Sequence, residues 1–279
     1  MALVVNTNMN ALTIENILSN TNNTISSSLQ KLSSGLRINS AADDPAGFAI
    51  ANSFNASIAA MQVASQNANQ AQSMLQTADG AYSQINDILV QMKSLATEAA
   101  SGQESSTDRS SLQNEFADLQ GEIDNIANST QYDGASLINA DATTVTFQVG
   151  ATNSSAYQIA FAFNNATAAT LGTGSGGVGT NIKIDSADNA ATAMDNIDAA
   201  LTSINAFMGS IGGYQNQLQY TINNLTTSIQ NYTASASAIE DVDMASEVSN
   251  LTKNQILQQS AMAMLAQANA QPQAILKLL

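Results

Sequence analysis

Apolar residues recur at spacings of three and four near both ends of the chain, which is the heptad pattern of helices that pack side by side. The N-terminal stripe consists of Ile14, Leu18, Thr21, Ile25, Leu29, Leu32 and Leu36. The C-terminal stripe consists of Met244, Val248, Leu251, Gln255, Gln258, Met262 and Leu265. A single narrow stripe leaves apolar area in water, so each segment needs a partner helix. The two segments can pair with each other, and they can also present a shared apolar surface to other copies of the chain.

The same helical period continues between the two ends. It predicts helices over about 44–100, 107–127 and 186–229, and a last helix that opens at 239–243 and runs toward Pro272. Asp43 and Asp44 stand directly before Pro45, which is the pattern of a helix N-terminus. The glycines at 209, 212 and 213 indicate a bend in the third of these helices, and Pro272 is expected to disturb the last one.

The middle of the chain changes from a helical period to strict alternation. Val145, Phe147 and Val149 form one alternating run, and the second run is Tyr157, Ile159, Phe161 and Phe163. About five polar residues separate the two runs, so they predict a β-hairpin. A third strand is expected at 182–185. The fold is therefore predicted to be mainly α, with terminal coiled-coil helices (1–43 and 236–279), a helical domain (44–139 and 186–235) and a small β-hairpin insert (140–185).

Composition excludes several classes of function. The chain has 279 residues and a formal net charge of −15, which disfavours binding to nucleic acid or to an anionic membrane surface. It contains no Cys and no His, so thiol nucleophiles, disulfides, the usual zinc sites and the commonest general base are all missing. No cofactor or metal site is expected, and the protein is not expected to be an enzyme. The first ten residues lack the features of a cleavable secretory signal, and no stretch is apolar enough to span a membrane.

Two long segments resemble bacterial flagellin. Near the N-terminus the match is carried by the run from Leu32 to Gly47, Leu-Ser-Ser-Gly-Leu-Arg-Ile-Asn-Ser-Ala-Ala-Asp-Asp-Pro-Ala-Gly. Near the C-terminus it is carried by Ile239-Glu240-Asp241-Val242-Asp243-Met244-Ala245, by Gln255-Ile256-Leu257 and by the closing Ala274-Ile275-Leu276-Lys277-Leu278-Leu279. The likeness covers both ends and the adjoining helical regions, and it implies a subunit of a helical filament that serves as a propeller for swimming.

The resemblance also implies partners and a location. Proteins similar to this one are secreted through the flagellar type III apparatus, and they meet an export chaperone, a cap protein and hook-junction proteins. Flagellins are often O-glycosylated, and Ser154, Ser155, Thr173 and Ser175 are the candidate positions here. Leu95 and Glu115 match the surface that an innate immune receptor for flagellin recognises. Gln91 stands where recognised flagellins carry Arg, so weakened recognition is expected.

Three questions stay open at the level of sequence. The terminal stripes can be sealed within one subunit or packed between subunits, and the second is preferred because a two-helix pair alone buries too little apolar area. Arg37 is expected to pair with Asp43 or Asp44 at the junction of the two helical layers, although capping alone explains both aspartates. A hook-filament junction protein has similar ends and is the alternative to a filament subunit. A flagellin that carries a metallopeptidase is excluded by the missing His and the small insert.

Overall fold

The computed structural model describes residues 8–139, 143–172, 177–179 and 182–276. Its helices are α1 (Met9–Ser34), α2 (Pro45–Ala99), α3 (Ser106–Ser129), α4 (Ala187–Glu240) and α5 (Met244–Leu276). Its strands are β1 (Gln131–Tyr132), β2 (Ala135–Ser136), β3 (Thr143–Gln148) and β4 (Gln158–Phe163), arranged as two antiparallel pairs. The prediction of a mainly helical fold with a small hairpin is confirmed.

Side-chain and backbone caps fix several helix ends. The Asn8 Oδ1 atom accepts a hydrogen bond from the Ala11 N–H (3.1 Å) where α1 begins. The helix ends at Gly35, whose φ of 74° is in the left-handed region and whose N–H donates to the Lys31 carbonyl. At the start of α3, Ser105 and Asp108 form a reciprocal capping box.

The chain divides into two compact units. We call residues 1–58 and 230–279 the terminal unit, and residues 59–229 the central unit. The three-part division into coiled coil, outer helical domain and insert stays a prediction.

The central unit is built around one apolar core. The core takes side chains from α2, α3, α4 and the β3–β4 hairpin, and its largest fully buried members include Tyr82, Phe116, Phe161, Leu75, Ile85, Leu89 and Met92. Strand β4 alternates strictly, with Ile159, Phe161 and Phe163 turned inward. The hairpin register pairs Val145 with Phe161 and Phe147 with Ile159.

Aromatic packing holds the hairpin on the helices. The Phe161 ring stacks on Phe147 at a centroid distance of 5.4 Å, meets Phe163 edge-on at 5.0 Å and contacts Tyr214 of α4 at 5.5 Å. Offset-stacked and edge-to-face pairs of this kind contribute beyond their buried area.

The third strand predicted at 182–185 is wrong, because this segment is irregular. Side chains of α3 satisfy its backbone instead. The Gln113 Oε1 atom accepts from the Ile184 N–H at 2.6 Å. The buried Gln120 amide donates from Nε2 to the Ile182 carbonyl at 3.3 Å, and also to the carbonyls of Val178 (2.7 Å) and Gly179 (2.9 Å), which precede the segment. A backbone whose polar groups are already paired in this way has no need of a strand partner.

Two helices continue where a disturbance was expected. Helix α4 runs through Gly209, Gly212 and Gly213 without a break in its helical assignment. Helix α5 continues past Pro272 to Leu276, although proline has no N–H to donate within a helix.

Candidate functional site

Helices α1 and α5 of the terminal unit pack against each other in antiparallel fashion. The Asn8 Nδ2 atom donates to the Ala268 carbonyl at 2.9 Å at one end of the pair. The Gln258 Nε2 atom donates to the Asn22 Oδ1 atom at 2.7 Å along it. At the other end Leu36 and Asp241 form an antiparallel backbone bridge.

The seam between α1 and α5 is lined mostly by small and polar residues. Its side chains are buried or half-buried and recur at spacings of three and four, on α1 at Ala11, Ile14, Leu18, Thr21, Ile25, Ser28 and Leu32, and on α5 at Leu251, Asn254, Gln258, Ala261, Leu265 and Ala268. Alanine, serine and threonine bring the two backbones close but bury little apolar area. The helix pair therefore derives little stability from its own seam.

Ten large apolar side chains of α1 and α5 are exposed. Met9 is 62% exposed, Met264 60% and Ile256 58%. The other exposed apolar side chains of α1 and α5 are Leu12, Ile17, Leu29, Met244, Val248, Leu257 and Met262. An apolar surface of this density on helices marks an interaction site more often than it marks a free surface. We call these ten side chains of α1 and α5 the outer apolar face.

The predicted seam residues divide between these two surfaces. Ile14, Leu18, Ile25, Leu32, Leu251 and Leu265 are half-buried in the single chain, whereas Leu29, Met244, Val248 and Met262 lie on the outer apolar face. The sequence reasoning missed the rest of that face. A signal was available, since apolar residues of α1 and α5 also occupy positions adjacent to the chosen stripes, as at Leu12, Ile17 and Ile256. The part that any of them plays in polymerisation stays a prediction.

Two short links join the terminal helices to their neighbours, and they bind each other. The link 35–44 follows α1, and the link 241–243 precedes α5. The Val242 N–H donates to the Gly35 carbonyl at 3.0 Å, and the Arg37 N–H donates to the Glu240 carbonyl. Ile38 is buried to 4% exposure beside these bonds. A Cβ added to Gly47 would stand 2.7 Å from the Ile38 Cδ1 atom, so any larger residue here would have to displace the Ile38 side chain.

The predicted ion pair of Arg37 with Asp43 or Asp44 is not formed. The Arg37 Nη2 atom donates to the Ile239 carbonyl at 2.7 Å instead. Lys93 and Asp198, in the central unit, form the one ion pair within 4.0 Å in the part of the chain that the structure describes. The reason is that the two aspartates already accept from backbone N–H groups, which leaves the guanidinium free to bind the end of α4.

Asp44 caps the start of α2, as its sequence position predicted, whereas Asp43 does not cap the helix and closes a turn within the link. The Asp44 Oδ1 atom accepts from the N–H groups of Ala46 (3.1 Å) and Gly47 (3.0 Å) at the start of α2. The Asp43 Oδ2 atom accepts from the Ser40 hydroxyl (3.0 Å) and from the N–H groups of Ser40 (2.9 Å) and Asn39 (3.1 Å). The Ser40 hydroxyl, followed by these N–H groups, lowers the pKa of the Asp43 carboxyl below its ordinary value of 3.8. The role of Arg37, Asp43 and Asp44 at a junction of filament layers stays a prediction.

Contacts between the ends of α2 and α4 complete this part of the terminal unit. The Phe54 and Tyr232 rings meet edge-on at a centroid distance of 5.4 Å. The Asn55 Nδ2 atom donates to the Glu240 carboxylate at 3.3 Å, and Asp243 caps α5 by accepting from the Ala245 N–H at 3.0 Å.

The remaining candidate residues lie in the central unit. The Gln91 Nε2 atom donates to the Glu115 Oε1 atom at 3.4 Å, so the structure brings these two together on the surface of α2 and α3. Leu95 is 8% exposed and packs into the core. Ser154 and Ser155 are exposed, whereas Thr173 and Ser175 lie outside the described residues. Receptor recognition and glycosylation stay predictions.

Acidic residues do not gather into a metal site in the part of the chain that the structure describes. No group of three Asp, Glu, His or Cys side chains there is placed to hold an ion. Among the same residues, no helix has the length and apolar character needed to cross a membrane.

The chain is similar to known proteins over almost its whole length. A model of the bacterial flagellin N-terminal helical region matches residues 5–143, and a model of the bacterial flagellin C-terminal helical region matches residues 194–279. The flagellin of Xenorhabdus nematophila is 37% identical and covers 100% of both chains. The flagellar filament 33 kDa core protein of Treponema phagedenis is 36% identical, over 99% of this chain and 100% of that protein.

One solved structure is similar over part of the chain. The crystal structure of Bacillus cereus flagellin is 28% identical, with a TM-score of 0.48, and its match covers 61% of this chain and 94% of that one. The sequence matches, at 36–37% identity over nearly complete chains, decide the assignment. The chain belongs to the bacterial flagellin family, whose members are structural subunits of the flagellar filament.

Proposed function

We propose that the outer apolar face of α1 and α5 is the surface through which copies of this flagellin polymerise. The observation that supports the proposal is the distribution of side-chain size in the terminal unit. Small side chains such as Ala11, Ser28 and Ala268 are buried between the two helices, and large ones such as Met9, Ile256 and Met264 are exposed. Burial of apolar area contributes about 25 cal/mol per Å², so the larger gain is available only when another copy covers this face.

The proposal also gives the central unit a different part in assembly. Its apolar side chains are largely enclosed within its own core, whereas most of the exposed large apolar residues in the described part of the chain belong to the terminal unit. The central unit would then be folded before assembly, and the terminal unit would gain most of its stability on joining the polymer.

We further propose that this flagellin is exported by the flagellar type III route and acts outside the cell. Membership of the family supports this. An exposed apolar face of this size needs cover before assembly, which an export chaperone would supply, and cap and hook-junction proteins would meet the same helices at the growing end. Ser154 and Ser155, exposed next to the hairpin, are the proposed glycosylation positions.

The assembly proposal is tested by electron microscopy of purified monomer after seeding with filament fragments. Intact chain should grow long filaments, and chain lacking residues 1–40 should grow none. Growth that stops at a short collar would overturn the proposal in favour of a junction protein. Normal elongation by the truncated chain would show that α1 is not part of the assembly surface.

A matched pair of substitutions locates the surface more closely. Val248→Thr and Val90→Thr make the same isosteric change on helices, at residues that are 48% and 54% exposed in the two units. Threonine replaces a buried methyl group by a hydroxyl, which can donate to the carbonyl four residues earlier, as Thr252 does here, so its burial should cost about 1 kcal/mol. Val248→Thr should therefore raise the critical concentration for assembly by about fivefold, since 1.4 kcal/mol is a factor of ten. Val90→Thr should leave it unchanged, and equal effects of the two changes would contradict the proposed location.

A further inference from the structure

One backbone carbonyl of α5 lacks its helical hydrogen-bond donor. Within an α-helix the carbonyl of residue 268 would accept from the N–H of residue 272, but residue 272 is proline and has none. Helix α5 nevertheless continues to Leu276. Pro45 and Pro272 are the two prolines of the chain, so Ala268 carries the one carbonyl of α5 that proline deprives of its donor.

The side chain of Asn8 supplies the missing donor. Its Nδ2 atom donates to the Ala268 carbonyl at 2.9 Å. The Oδ1 atom of the same amide accepts from the Ala11 N–H at 3.1 Å and caps α1. One amide therefore satisfies an unpaired donor at the start of α1 and an unpaired acceptor near the end of α5.

The seam alone specifies the alignment of the two helices weakly. Seven of its thirteen positions are Ala, Ser, Thr or an amide, so apolar packing specifies the register less strongly than it would in a seam of Ile and Leu alone. Polar contacts inside such a seam are the devices that fix register. The Gln258–Asn22 contact at 2.7 Å is one of them, and the Asn8–Ala268 contact is the other.

We propose that Asn8 is a specificity-determining residue that sets the register of α1 against α5 by recognising the carbonyl left free by Pro272. A shift of one heptad would place Asn8 near the Ala261 carbonyl, which already accepts from the Leu265 N–H within the helix. Compared with that shifted register, the aligned one gives the Asn8 amide a carbonyl without a helical donor. A shift in the opposite direction would place Asn8 near the last turn of α5 at Ile275, beyond the seam side chains that pair with α1. The Asn22–Gln258 contact supports the same alignment from the middle of the seam.

A double-mutant cycle in full-length protein tests the coupling of Asn8 to Pro272. Asn8→Ser keeps a good helix cap but removes the Nδ2 donor, and Pro272→Ala restores an N–H for the Ala268 carbonyl. Asn8→Ser should raise the critical concentration of seeded assembly about two- to tenfold, the range expected for one hydrogen bond. In the Pro272→Ala background the same change should have less than half that effect on a logarithmic scale. Asn10→Ser, at an exposed residue of α1, is the matched control and should have no effect.

Each result of the cycle decides for or against the coupling. Equal effects of Asn8→Ser in both backgrounds would overturn it. If Asn8→Ser abolishes assembly, recovery in the double variant supports the proposal and its absence overturns it. This measurement depends on the proposed assembly through the terminal helices, but failure of the assembly proposal and failure of the register proposal give different results. Failure of that assembly appears as no elongation by the wild-type chain, whereas failure of the register proposal appears as an additive cycle in chains that do elongate.

Introduced cysteines report the register directly, because the chain contains no Cys of its own. Asn22→Cys is combined with Gln258→Cys for the aligned register, or with Leu251→Cys or Leu265→Cys for shifts of one heptad. The aligned pair removes the Asn22–Gln258 contact, so Asn8 is left to hold the register. In filaments, the aligned pair should cross-link in preference to the shifted pairs, and Asn8→Ser should reduce that preference at least twofold. An unchanged ratio would overturn the proposed role of Asn8.

Discussion

The central and terminal units of this flagellin bury their side chains in opposite ways. The central unit encloses Tyr82, Phe116, Phe161 and a series of Leu, Ile and Met residues in one core. In the described part of the terminal unit, the buried apolar residues are Ile38 and the alanines at 11, 51, 236 and 268. The other large apolar residues of α1 and α5 are half-buried in the seam or exposed. The difference is the one expected if a single chain completes the first unit and contact with other copies completes the second, as proposed above.

The largest expected effect comes from making the same truncation in both units. Leu89→Ala removes a fully buried side chain of the central core, which should lower the free energy of unfolding by about 2–5 kcal/mol. Leu18→Ala removes a half-buried side chain of the α1–α5 seam and should cost the monomer less than about 1.5 kcal/mol. Urea denaturation of monomers, followed by circular dichroism, measures both. A loss at Leu18 as large as that at Leu89 would show that the terminal unit is already complete in the monomer.

Two glycines of α2 provide a second comparison, with effects of opposite sign. A Cβ at Gly47, in the terminal unit, would stand 2.5 Å from the Asp44 Oδ2 atom and 2.7 Å from the Ile38 Cδ1 atom. Gly47→Ala should therefore destabilise the junction by about 1–3 kcal/mol through overpacking. Gly80, in the central unit, has open space around it, so Gly80→Ala should stabilise the helix by up to about 1 kcal/mol.

Two measurements check this pair. For Gly80→Ala it is the thermal unfolding midpoint of the monomer, and for Gly47→Ala it is the critical concentration of seeded assembly. A Gly47→Ala chain that assembles as readily as the wild type would contradict the close packing of Ile38 against α2.

Alkaline pH should act on the central unit through Tyr82. Burial raises the pKa of the Tyr82 hydroxyl from 10.0 to about 12, and the hydroxyl donates to the Asn164 carbonyl at 2.7 Å. Because the pKa of Tyr82 is higher in the folded state, its contribution to the free energy of unfolding is fully present below pH 10 and is lost as the pH rises toward 12. At pH 11.5 the free energy of unfolding should be lower by about 2 kcal/mol.

The Tyr82→Phe variant is the control for this effect. It lacks both the ionisable group and the hydrogen bond, so it should be less stable than the wild type at pH 8, and the difference should shrink or reverse at pH 11.5. A difference between the two proteins that stays constant over this range would exclude Tyr82 as the source.

Sequence patterns predicted most of the fold because the helices and the hairpin carry strong local signals. The bounds of α2 follow from the capping aspartate and Pro45 at one end and the polar turn after Ala99 at the other. The hairpin follows from strict alternation. Local signals failed at 182–185, where Gln113 binds the Ile184 N–H and Gln120 binds the Ile182 carbonyl in place of a strand partner.

The candidate site was less predictable for a related reason. A heptad pattern shows the period of a seam, but it does not show which of several adjacent stripes faces the partner helix. The small residues Ser28 and Ala261 also do not stand out in a search for large apolar side chains. Sequence reasoning therefore placed Leu29 and Met262 in the seam, whereas the single chain buries Ser28 and half-buries Ala261 beside them. Arg37 was placed with the aspartates because of charge alone, and its bond to the Ile239 carbonyl depends on a contact between residues 202 positions apart.

The smallest expected effect is the acid response of the terminal unit at Asp43. The pKa of its carboxyl is lowered by the Ser40 hydroxyl and by the N–H groups of Ser40 and Asn39, and the carboxyl is fully exposed. Because the pKa is lower in the folded state, the capped turn is favoured above the ordinary Asp pKa and loosens as the pH falls through the folded-state value. In amide NMR spectra, the Asn39 and Ser40 signals should titrate together with a midpoint below 3.8, and Asp43→Asn should abolish that titration. Titration of both amides at or above 3.8, or its survival in Asp43→Asn, would mean that the carboxylate does not hold this turn.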